Sequence, residues 1–470
     1  MSLAIANQRW LVLGLGDTGL SLLRWLRHRG ATVRVADTRD NPPHTARVKR
    51  DFPDVELCIG PYQADTFADI DAIAISPGVA LAERWVADAV KKNIPVVGDI
   101  ELFGQSLAQL SDTKTPKVIG ITGSNGKSTV TTMAGELCKA AGLKTVVAGN
   151  IGLPVLDALY DAETTGTMPD VFVLELSSFQ LESTSTLHLN AATVLNLSED
   201  HLDRYATMAD YAAAKARIFM HCDCQILNHD DPRSAAMRGV GSTVKYFGLD
   251  TALGKDHWGV ATVGGEPWLM EDQAPLLPVA DLPVAGMHNA ANALAALALA
   301  RAIDLPLAPL LHAIKRFRGL PHRVEKVMEI GAVAFYDDSK GTNVGATVAA
   351  LRGMKERVVL IAGGDGKGQD FSPMNEAVAK HARAVVLIGR DADLIAAAIA
   401  NSGVPVLYAK TMQEAVRQAL KASAPGDYVL LSPACASFDM FNNYGHRAQV
   451  FIDAVRALAA EQLTLNQGAA

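Results

Sequence analysis

The sequence has few cysteines and no excess of positive charge. Its five cysteines are odd in number and scattered along 470 residues, so we expect no disulfide framework and a reducing, cytoplasmic location. The closest pair, Cys222 and Cys224, lacks the second cluster that a structural zinc site needs. Lysine and arginine number 43 against 50 aspartate and glutamate residues, a net charge of −7. This balance argues against broad electrostatic binding of nucleic acid.

Long apolar runs are also absent. No stretch approaches the roughly eighteen apolar residues of a membrane-spanning helix, and polar residues interrupt the Ala/Leu-rich segment 286–303. The first nine residues carry no basic cluster ahead of an apolar run, so we expect no secretory signal peptide. Apolar residues still make up 49% of the chain and charged residues 20%, which excludes a disordered or fibrous protein. We therefore expect a globular protein without a membrane span.

The length and the alternation of patterns predict three α/β domains. At roughly 150 residues per domain, 470 residues correspond to about three. Short apolar strands alternate with amphipathic helices, which predicts mainly parallel sheets with flanking helices. The polar stretch 111–116 is the expected linker, 319–321 marks a second boundary, and only 241–285 breaks the alternation. The expected domains are a Rossmann-like one over 1–114, a central phosphate-loop one over 115–319 and a Rossmann-like C-terminal one over 320–470.

The strongest local signal is the run IGITGSNGKST at 119–129. An apolar strand ends in a glycine-rich turn and a helix pattern begins at about Lys127, so backbone N–H groups and a helix N-terminus can cradle phosphate. Lys127 would contact the terminal phosphates of a nucleotide, and the Ser128 hydroxyl could bind Mg²⁺. The common pattern G-x-x-x-x-G-K-[ST] needs glycine where this chain has Ile121, so the loop is a variant.

Two further residues fit a metal–nucleotide site. Glu175 ends the apolar run 171–175, at the strand end where parallel-sheet sites open, and its carboxylate can hold Mg²⁺. His201 follows another predicted strand, near 191–197. A lone histidine is more often structural, but beside a phosphate loop and Glu175 we interpret it as a ligand.

A second glycine turn, GLGDTG at 14–19, lies between a predicted strand and a predicted helix. Asp37 ends the next strand about twenty residues later, as in the dinucleotide fingerprint. On its own this turn favours an NAD-dependent oxidoreductase, which is one alternative. The same turn can hold any pyrophosphate, however, and that alternative leaves 120–129, Glu175 and His201 without a role.

Three runs resemble the Mur ligases, the ATP-dependent amide-forming enzymes of peptidoglycan precursor synthesis. They are TGSNGKST at 122–129, ELSSFQLE at 175–182 and EDHLDRY at 199–205, in the family's order. The resemblance covers nearly the whole chain. The branch that adds D-glutamate is indicated by ELSSFQ at 175–180, DSKGTN at 338–343 and SPACAS at 432–437.

The resemblance implies an activity and a role for each domain. ATP would phosphorylate the alanyl carboxylate of UDP-N-acetylmuramoyl-L-alanine, and the amine of D-glutamate would displace phosphate from the acyl phosphate. The first domain would hold the UDP, the central one ATP, and the third would close over the nucleotide and D-glutamate. Two Mg²⁺ ions and a CO₂-derived carbamate on Lys215, in the predicted helical stretch 211–220, are also implied. Carbamylation needs a neutral, partly desolvated amine with a lowered pKa.

The family's functional residues map onto matching positions of this sequence. The implied catalytic residues are Lys127, His201 and Lys215, and the implied metal ligands are Ser128, Glu175, His201 and Lys215. The residues implied for ATP are Gly123, Ser124, Asn125, Gly126, Lys127, Ser128, Thr129, Asn289, Asn292, Arg323 and Asp338. Those implied for the UDP substrate are Thr18, Asp37, Thr38, Arg39, Ser76, Pro77, Gly78, Asn150 and His201. Those implied for D-glutamate are Lys340, Thr342, Lys367, Ser437 and Tyr444.

One of these assignments has an alternative, and another departs from the family's pattern. Asn289 and Asn292 share a helix face and could bind the adenine edge, but Asn289 could instead cap the helix. Tyr444 stands where the family has a phenylalanine, so the sequence departs from the family's pattern at this contact.

Three further functions stay open at this point. A folate polyglutamate synthase would turn over a pterin, and a sibling ligase would add diaminopimelate or lysine. A non-catalytic nucleotide-binding partner protein would bind ATP without releasing phosphate. For the favoured function we expect a cytoplasmic monomer whose partners are its small-molecule substrates, with no nucleic acid and no membrane.

Overall fold

The computed structural model describes residues 3–111, 115–250, 254–284 and 286–468, with side chains up to residue 462. Three α/β domains follow one another, each on a mainly parallel sheet, which confirms the predicted fold class. Residues 112–114 of the predicted linker lie outside the described residues, and the boundaries at 114/115 and 319/320 stay predictions. None of the described helices is both long and apolar enough to cross a bilayer.

The N-terminal domain is a five-stranded parallel sheet with helices. Its strands are β1 (Arg9–Leu13), β2 (Thr32–Asp37), β3 (Glu56–Ile59), β4 (Ala72–Ile75) and β5 (Val96–Val97). Its helices are α1 (Asp17–His28), α2 (Thr45–Asp51), α3 (Arg84–Lys91) and α4 (Asp99–Leu107). The strand order is β3-β2-β1-β4-β5, so the winding reverses between β1 and β4. Open α/β sheets bind ligands beyond the carboxyl ends of the strands at such a reversal.

The central domain is built on a nine-stranded sheet. Its strands are β6 (Lys117–Thr122), β7 (Thr145–Gly149), β8 (Val171–Glu175), β9 (Leu189–Val194), β10 (Cys222–Asn228), β11 (Thr243–Phe247), β12 (His257–Val263), β13 (Glu266–Glu271) and β14 (Ala274–Pro278). Its helices are α5 (Lys127–Ala140), α6 (Val155–Thr164), α7 (Ser178–Glu182), α8 (Met208–Ala216), α9 (Pro232–Ala235), α10 (Met287–Ala302) and α11 (Leu307–Ile314). The order is β14-β13-β12-β11-β10-β9-β6-β8-β7, with β12 to β14 antiparallel and the rest parallel.

The segment that the sequence placed only loosely, 241–285, holds β11 and the antiparallel strands β12 to β14. Gly264 and Gly265 connect β12 to β13 with φ of +60° and +90°, as a two-residue hairpin turn requires. The patterns also missed β3, β7 and β15 (Glu325–Ile330), which are edge strands with few buried side chains. They missed β10 because Asp223 and Gln225 interrupt its apolar run.

The C-terminal domain has a six-stranded sheet. Besides β15, its strands are β16 (Val333–Asp337), β17 (Val358–Gly363), β18 (Ala382–Ile388), β19 (Val406–Tyr408) and β20 (Tyr428–Leu431). Its helices are α12 (Val344–Gly353), α13 (Met374–His381), α14 (Ala392–Ala398), α15 (Met412–Ala422) and α16 (Tyr444–Gly468). The order is β15-β16-β20-β17-β18-β19, parallel except for β15. Two apolar clusters contain alternate residues of the strands, because neighbouring strand side chains point to opposite faces.

By compactness, the chain divides into two units. The first comprises the residues up to Leu197, Ala209–Val279 and Asn292–Lys315, and the second comprises Ser198–Met208, Ala280–Ala291 and the chain from Arg316. The first two sheets therefore belong to one unit. Gln180 Nε2 donates to Asp99 Oδ2 at 3.2 Å within it, and burial raises the pKa of that carboxyl to about 6. The segment that carries His201 belongs to the second unit.

Candidate active-site residues

The phosphate loop, residues 122–129, leaves β6 and enters α5 at Lys127, as predicted. Gly123 and Gly126 have φ of +150° and +83°, values that residues other than glycine rarely adopt. A Cβ at Gly126 would lie 2.7 Å from Asn292 Oδ1, so α10 packs directly against the loop. The helix N-terminus follows the glycine turn without a gap, which is the arrangement of an anion site.

Asn196, which the sequence reasoning missed as a functional residue, supports this loop. Its carbonyl accepts from the N–H of Ser124 at 2.9 Å, and its Oδ1 accepts from the N–H of Asn125 at 2.8 Å. Because these two N–H groups are already engaged, a phosphate would use the N–H groups further along, at Gly126 and the start of α5. Asn196 follows β9, so no motif in the loop itself could have indicated it.

Two lysine ammonium groups contact the loop's carbonyl groups. Lys127 Nζ donates to the carbonyls of Gly123 and Ser124 at 2.7 and 2.8 Å. Lys215 Nζ, from α8, donates to the same Gly123 carbonyl at 3.0 Å and to Thr122 Oγ1 at 3.2 Å. Lys215 is only 2% exposed, which is the desolvation that the sequence reasoning required. For Lys127, a phosphate would be a stronger, charged acceptor than a carbonyl.

Glu175 ends β8 and pairs in register with Ile121 at the end of β6. Its Oε1 accepts from Asn150 Nδ2 at 2.8 Å, while its buried Oε2 has no hydrogen-bond partner within the described structure. A buried carboxylate oxygen without a donor is unfavourable unless a cation neutralises it. The residue therefore fits a Mg²⁺ ligand. Ser128, which like Lys215 is a further predicted ligand on this unit, is buried in the first turn of α5.

Except for Asn150, which follows β7, and His201, the predicted UDP residues gather at the carboxyl ends of β1, β2 and β4. Ser76 Oγ donates to the carbonyl of Gly14 at 3.2 Å, and Asp37 Oδ2 accepts from the N–H of Leu15 at 2.7 Å. Thr18 lies in the first turn of α1, and Pro77 and Gly78 directly follow Ser76. The glycine turn is thus joined to both neighbouring strand ends.

Asp37 and Arg39 form a partly buried ion pair. Arg39 donates to Asp37 from Nε at 2.9 Å and from Nη2 at 2.6 Å, and its side chain stays half exposed beside Thr38. Burial acts to raise the pKa of Asp37, but the hydrogen bonds from Arg39 and from Leu15 outweigh it and hold the pKa below its usual value. The carboxylate therefore stays ionised at the position predicted for uridine.

His201 lies in the loop between β9 and α8 with a positive φ of +57°. Its backbone N–H donates to Asp200 Oδ1 at 3.0 Å, and its ring Nε2 is 3.6 Å from Asp200 Oδ2. Lys367 Nζ donates to the same Asp200 carboxylate at 3.0 Å. Asp200 was missed by the sequence reasoning, although it directly precedes His201. Within the second unit, it connects the His201 segment to the loop of Lys367.

The residues predicted for D-glutamate lie on three loops and the start of α16. The first loop (338–343) follows β16, the second (364–369) follows β17, and the third (432–437) follows β20. These strands are parallel neighbours, which agrees with the expectation that one sheet edge collects the loops. Lys340 Nζ lies 5.4 Å from the ring centroid of Tyr444, the first residue of α16. Thr342, Lys367 and Ser437 occupy the three loops in turn.

Asp338, predicted to bind ribose, is 5% exposed, and its Oδ2 accepts from Ser432 Oγ at 2.7 Å. Burial raises its pKa to about 7, against the opposing effects of the Ser432 hydrogen bond and the Arg323 charge. Within the C-terminal domain, the positive charge of Arg323 thus lowers the pKa of Asp338. Asn289 lies inside α10, which begins at Met287, so the alternative that Asn289 caps the helix is wrong.

The comparisons with known proteins agree along the whole chain. Three family models match in succession: the Mur ligase MurD-like N-terminal domain over 8–98, the Mur ligase middle domain over 121–300 and the Mur ligase glutamate ligase domain over 322–435. A relative from Thiobacillus denitrificans, named UDP-N-acetylmuramoylalanine–D-glutamate ligase, is 56% identical over 98% of both chains. The chain belongs to the Mur ligase family. This confirms the resemblance, and the NAD-dependent oxidoreductase alternative is wrong.

Other Mur ligases support the same conclusion. A relative of the same name from Methylobacillus flagellatus is 55% identical over 98% of this chain and 100% of its own. The solved UDP-N-acetylmuramate–alanine ligase of Thermotoga maritima superposes with a TM-score of 0.60 at 18% identity, covering 96% of this chain and 100% of that one. At that identity the likeness is one of fold alone, and it agrees with the three-domain architecture.

Proposed function

We propose that this Mur ligase joins D-glutamate to UDP-N-acetylmuramoyl-L-alanine and releases ADP and phosphate, a step of peptidoglycan precursor synthesis in the cytoplasm. The observation that carries the proposal is full-length identity of 54–56% to several relatives that bear this enzyme's name. The same observation disfavours a sibling ligase and a folate polyglutamate synthase.

The phosphate loop supports the activation of the alanyl carboxylate. A carboxylate is a poor acyl donor, and its phosphorylation supplies a good leaving group if positive charge stabilises the migrating phosphoryl group. We assign that stabilisation to Lys127 and to the N–H groups at the start of α5. Lys127 would exchange its two carbonyl acceptors for phosphate oxygens.

Glu175 and Ser128, with His201 and a carbamylated Lys215, are the proposed ligands of two Mg²⁺ ions, which would neutralise phosphate charge when bound. Support for Glu175 comes from its buried Oε2, which lacks a donor. Support for carbamylation comes from the burial of Lys215, because burial disfavours the charged form of a lysine and only the neutral amine reacts with CO₂. In that reaction the ammonium first loses one proton, and the neutral Nζ then bonds to the carbon of CO₂ and releases a second proton, so a cation becomes an anion.

The C-terminal loops support recognition of an amino acid with two carboxylates. Such a substrate needs cations and hydroxyl donors, and the assigned residues offer both. The assigned residues are Lys340, Thr342, Lys367, Ser437 and Tyr444. The amine of D-glutamate would attack the acyl-phosphate carbon, and the C–O bond to phosphate would break as the amide forms.

Phosphate release tests the proposal. With ATP, Mg²⁺ and UDP-N-acetylmuramoyl-L-alanine, we expect turnover with D-glutamate and none with L-glutamate, diaminopimelate or lysine. Turnover with one of those amino acids, or with a pterin substrate, would refute the substrate assignment. Binding of ATP without any release would favour a non-catalytic partner protein. Sedimentation of the same preparation tests the expected monomer.

A further inference from the structure

The three loops assigned to D-glutamate come from distant parts of the sequence and have to be aligned. Two buried side chains, Arg447 and Gln369, bond across them, and neither has a role in the mechanism above. Arg447 carries a charge and Gln369 does not. Variants of the two residues can therefore distinguish the effect of loop alignment from the effect of charge.

Arg447, on α16, is fully buried and donates to two loops. Its Nε donates to Ser339 Oγ at 3.0 Å and its Nη2 to the Ser339 carbonyl at 2.8 Å, both on the first loop. Its Nη1 donates to the carbonyl of Cys435 on the third loop at 3.0 Å. Ser339 Oγ in turn donates to the carbonyl of Tyr444 at 2.8 Å. One guanidinium thus fixes every segment of the proposed pocket except the second loop.

Acidic groups interact electrostatically with the charge of Arg447. Its three acceptors are neutral oxygens, but Asp337, Asp338 and Asp439 lie near enough to favour its cationic form. Burial lowers its pKa to about 10, which leaves it cationic at neutral pH. Asp337 and Asp338 are buried directly at the start of the first loop. Above pH 7, where Asp338 is ionised, loss of the cation would leave negative charge that opposes the binding of a dicarboxylate.

Gln369 is the neutral counterpart. Its Oε1 accepts from the N–H of Val344, directly after the first loop, at 3.0 Å. Its Nε2 donates to the carbonyl of Gly366 on the second loop at 2.8 Å and is 3.4 Å from that of Ala434 on the third. It therefore joins all three loops without adding charge.

We propose that Arg447 is a positioning residue for D-glutamate. It aligns the first and third loops, and its buried charge offsets Asp337 and Asp338 so that a substrate with two carboxylates can bind. The inference rests on the proposed function, and it extends that function to a residue that need not touch the substrate.

Kinetics of full-length Arg447→Met, Arg447→Lys and Gln369→Met variants test this. We expect the KM for D-glutamate to rise at least about thirtyfold in Arg447→Met, and about three- to tenfold in the other two, with the KM for ATP within about twofold of wild type. Discrimination is measured as the inhibition constant of D-glutamine divided by the KM of D-glutamate. It should fall about tenfold in Arg447→Met and stay unchanged in Gln369→Met, since D-glutamine lacks the second charge.

Several results would overturn the proposal. One is a KM for D-glutamate near wild type in Arg447→Met, and another is an equal rise in the KM for ATP. Equal loss of discrimination in Arg447→Met and Gln369→Met would remove the role of charge. If Arg447→Met does not fold, Arg447→Lys decides, and an unchanged KM for D-glutamate in that variant overturns the alignment role. A wild-type enzyme that does not use D-glutamate would instead refute the proposed function, so the two failures are distinguishable.

Discussion

The phosphate loop and the D-glutamate loops hold their lysines in different ways. Lys127 and Lys215 donate to backbone carbonyls and a hydroxyl of one continuous loop. Lys340 lies over the ring of Tyr444, and Lys367 is bound to the carboxylate of Asp200. The acceptors of both lysines on the phosphate side therefore lie in one short run of sequence. A site for a small dicarboxylate is instead assembled from separate strand ends that side chains must tie together.

Loss of the Lys127 charge should have the largest effect on the phosphate side of this comparison. We expect Lys127→Ala to reduce kcat by about a thousandfold or more, because the transferring phosphoryl group loses the cationic partner proposed for it. The measurement is phosphate release at saturating substrates. Lys139→Ala removes an exposed lysine from the same helix and serves as the control. Activity of Lys127→Ala close to that of Lys139→Ala would contradict the role of the loop.

Neutralising Glu175 should cost less activity and no stability. Glu175→Gln keeps an acceptor for Asn150 but removes the charge proposed for Mg²⁺, so we expect kcat to fall about a hundredfold. Because Oε2 has no donor among the described residues, the melting temperature should stay equal or rise. A clear loss of melting temperature with activity retained would mean that the carboxylate is structural.

Removing the Lys367 charge should affect D-glutamate alone. We expect Lys367→Met to raise the KM for D-glutamate about ten- to thirtyfold with the KM for ATP nearly unchanged, since the proposed ionic contact to substrate is lost. Lys355→Met, at an exposed position of the same domain, is the matched control. Parallel increases in both KM values would show that Lys367 serves the fold or both substrates.

The raised pKa of Asp338 predicts how the free energy of unfolding depends on pH. Its folded-state pKa of about 7 exceeds the ordinary 3.8, so the folded state binds more protons between these values and stability falls as pH rises from about 4 to 7. Asp338→Asn should remove this contribution, at most about 1.4 kcal/mol per pH unit, and gain on wild type as pH rises. Denaturant unfolding at pH 5 and 8 measures it. Asp304→Asn, at a 93% exposed side chain, should show no such trend, and the same absence in Asp338→Asn would refute the prediction.

The smallest expected effect is that of Tyr444→Phe. Tyr444 faces Lys340 with its ring, and only its backbone carbonyl is bonded to Ser339, so loss of the hydroxyl should change the KM for D-glutamate by about twofold or less. Steady-state kinetics with varied D-glutamate measure it. A tenfold change would show that the hydroxyl, which the family's phenylalanine lacks, takes part in binding.

The sequence predicts what is local and misses what is long-range. A buried strand such as β8 is predicted by its contiguous apolar residues, and the turn before α5 is predicted by its glycines. Asn196, Gln369 and Arg447 act on loops far away along the chain, so the residues around them give no signal of their partners. The prediction missed the edge strands β3 and β15 for a related reason, because few of their side chains face the core.

Isotope transfer tests the central claim most directly. If ATP activates the alanyl carboxylate of UDP-N-acetylmuramoyl-L-alanine, a substrate labelled with ¹⁸O in that carboxylate should pass one ¹⁸O atom to each phosphate released in the presence of D-glutamate. Phosphate that carries no label, while the amide still forms, would contradict the acyl-phosphate route and the role assigned to the phosphate loop.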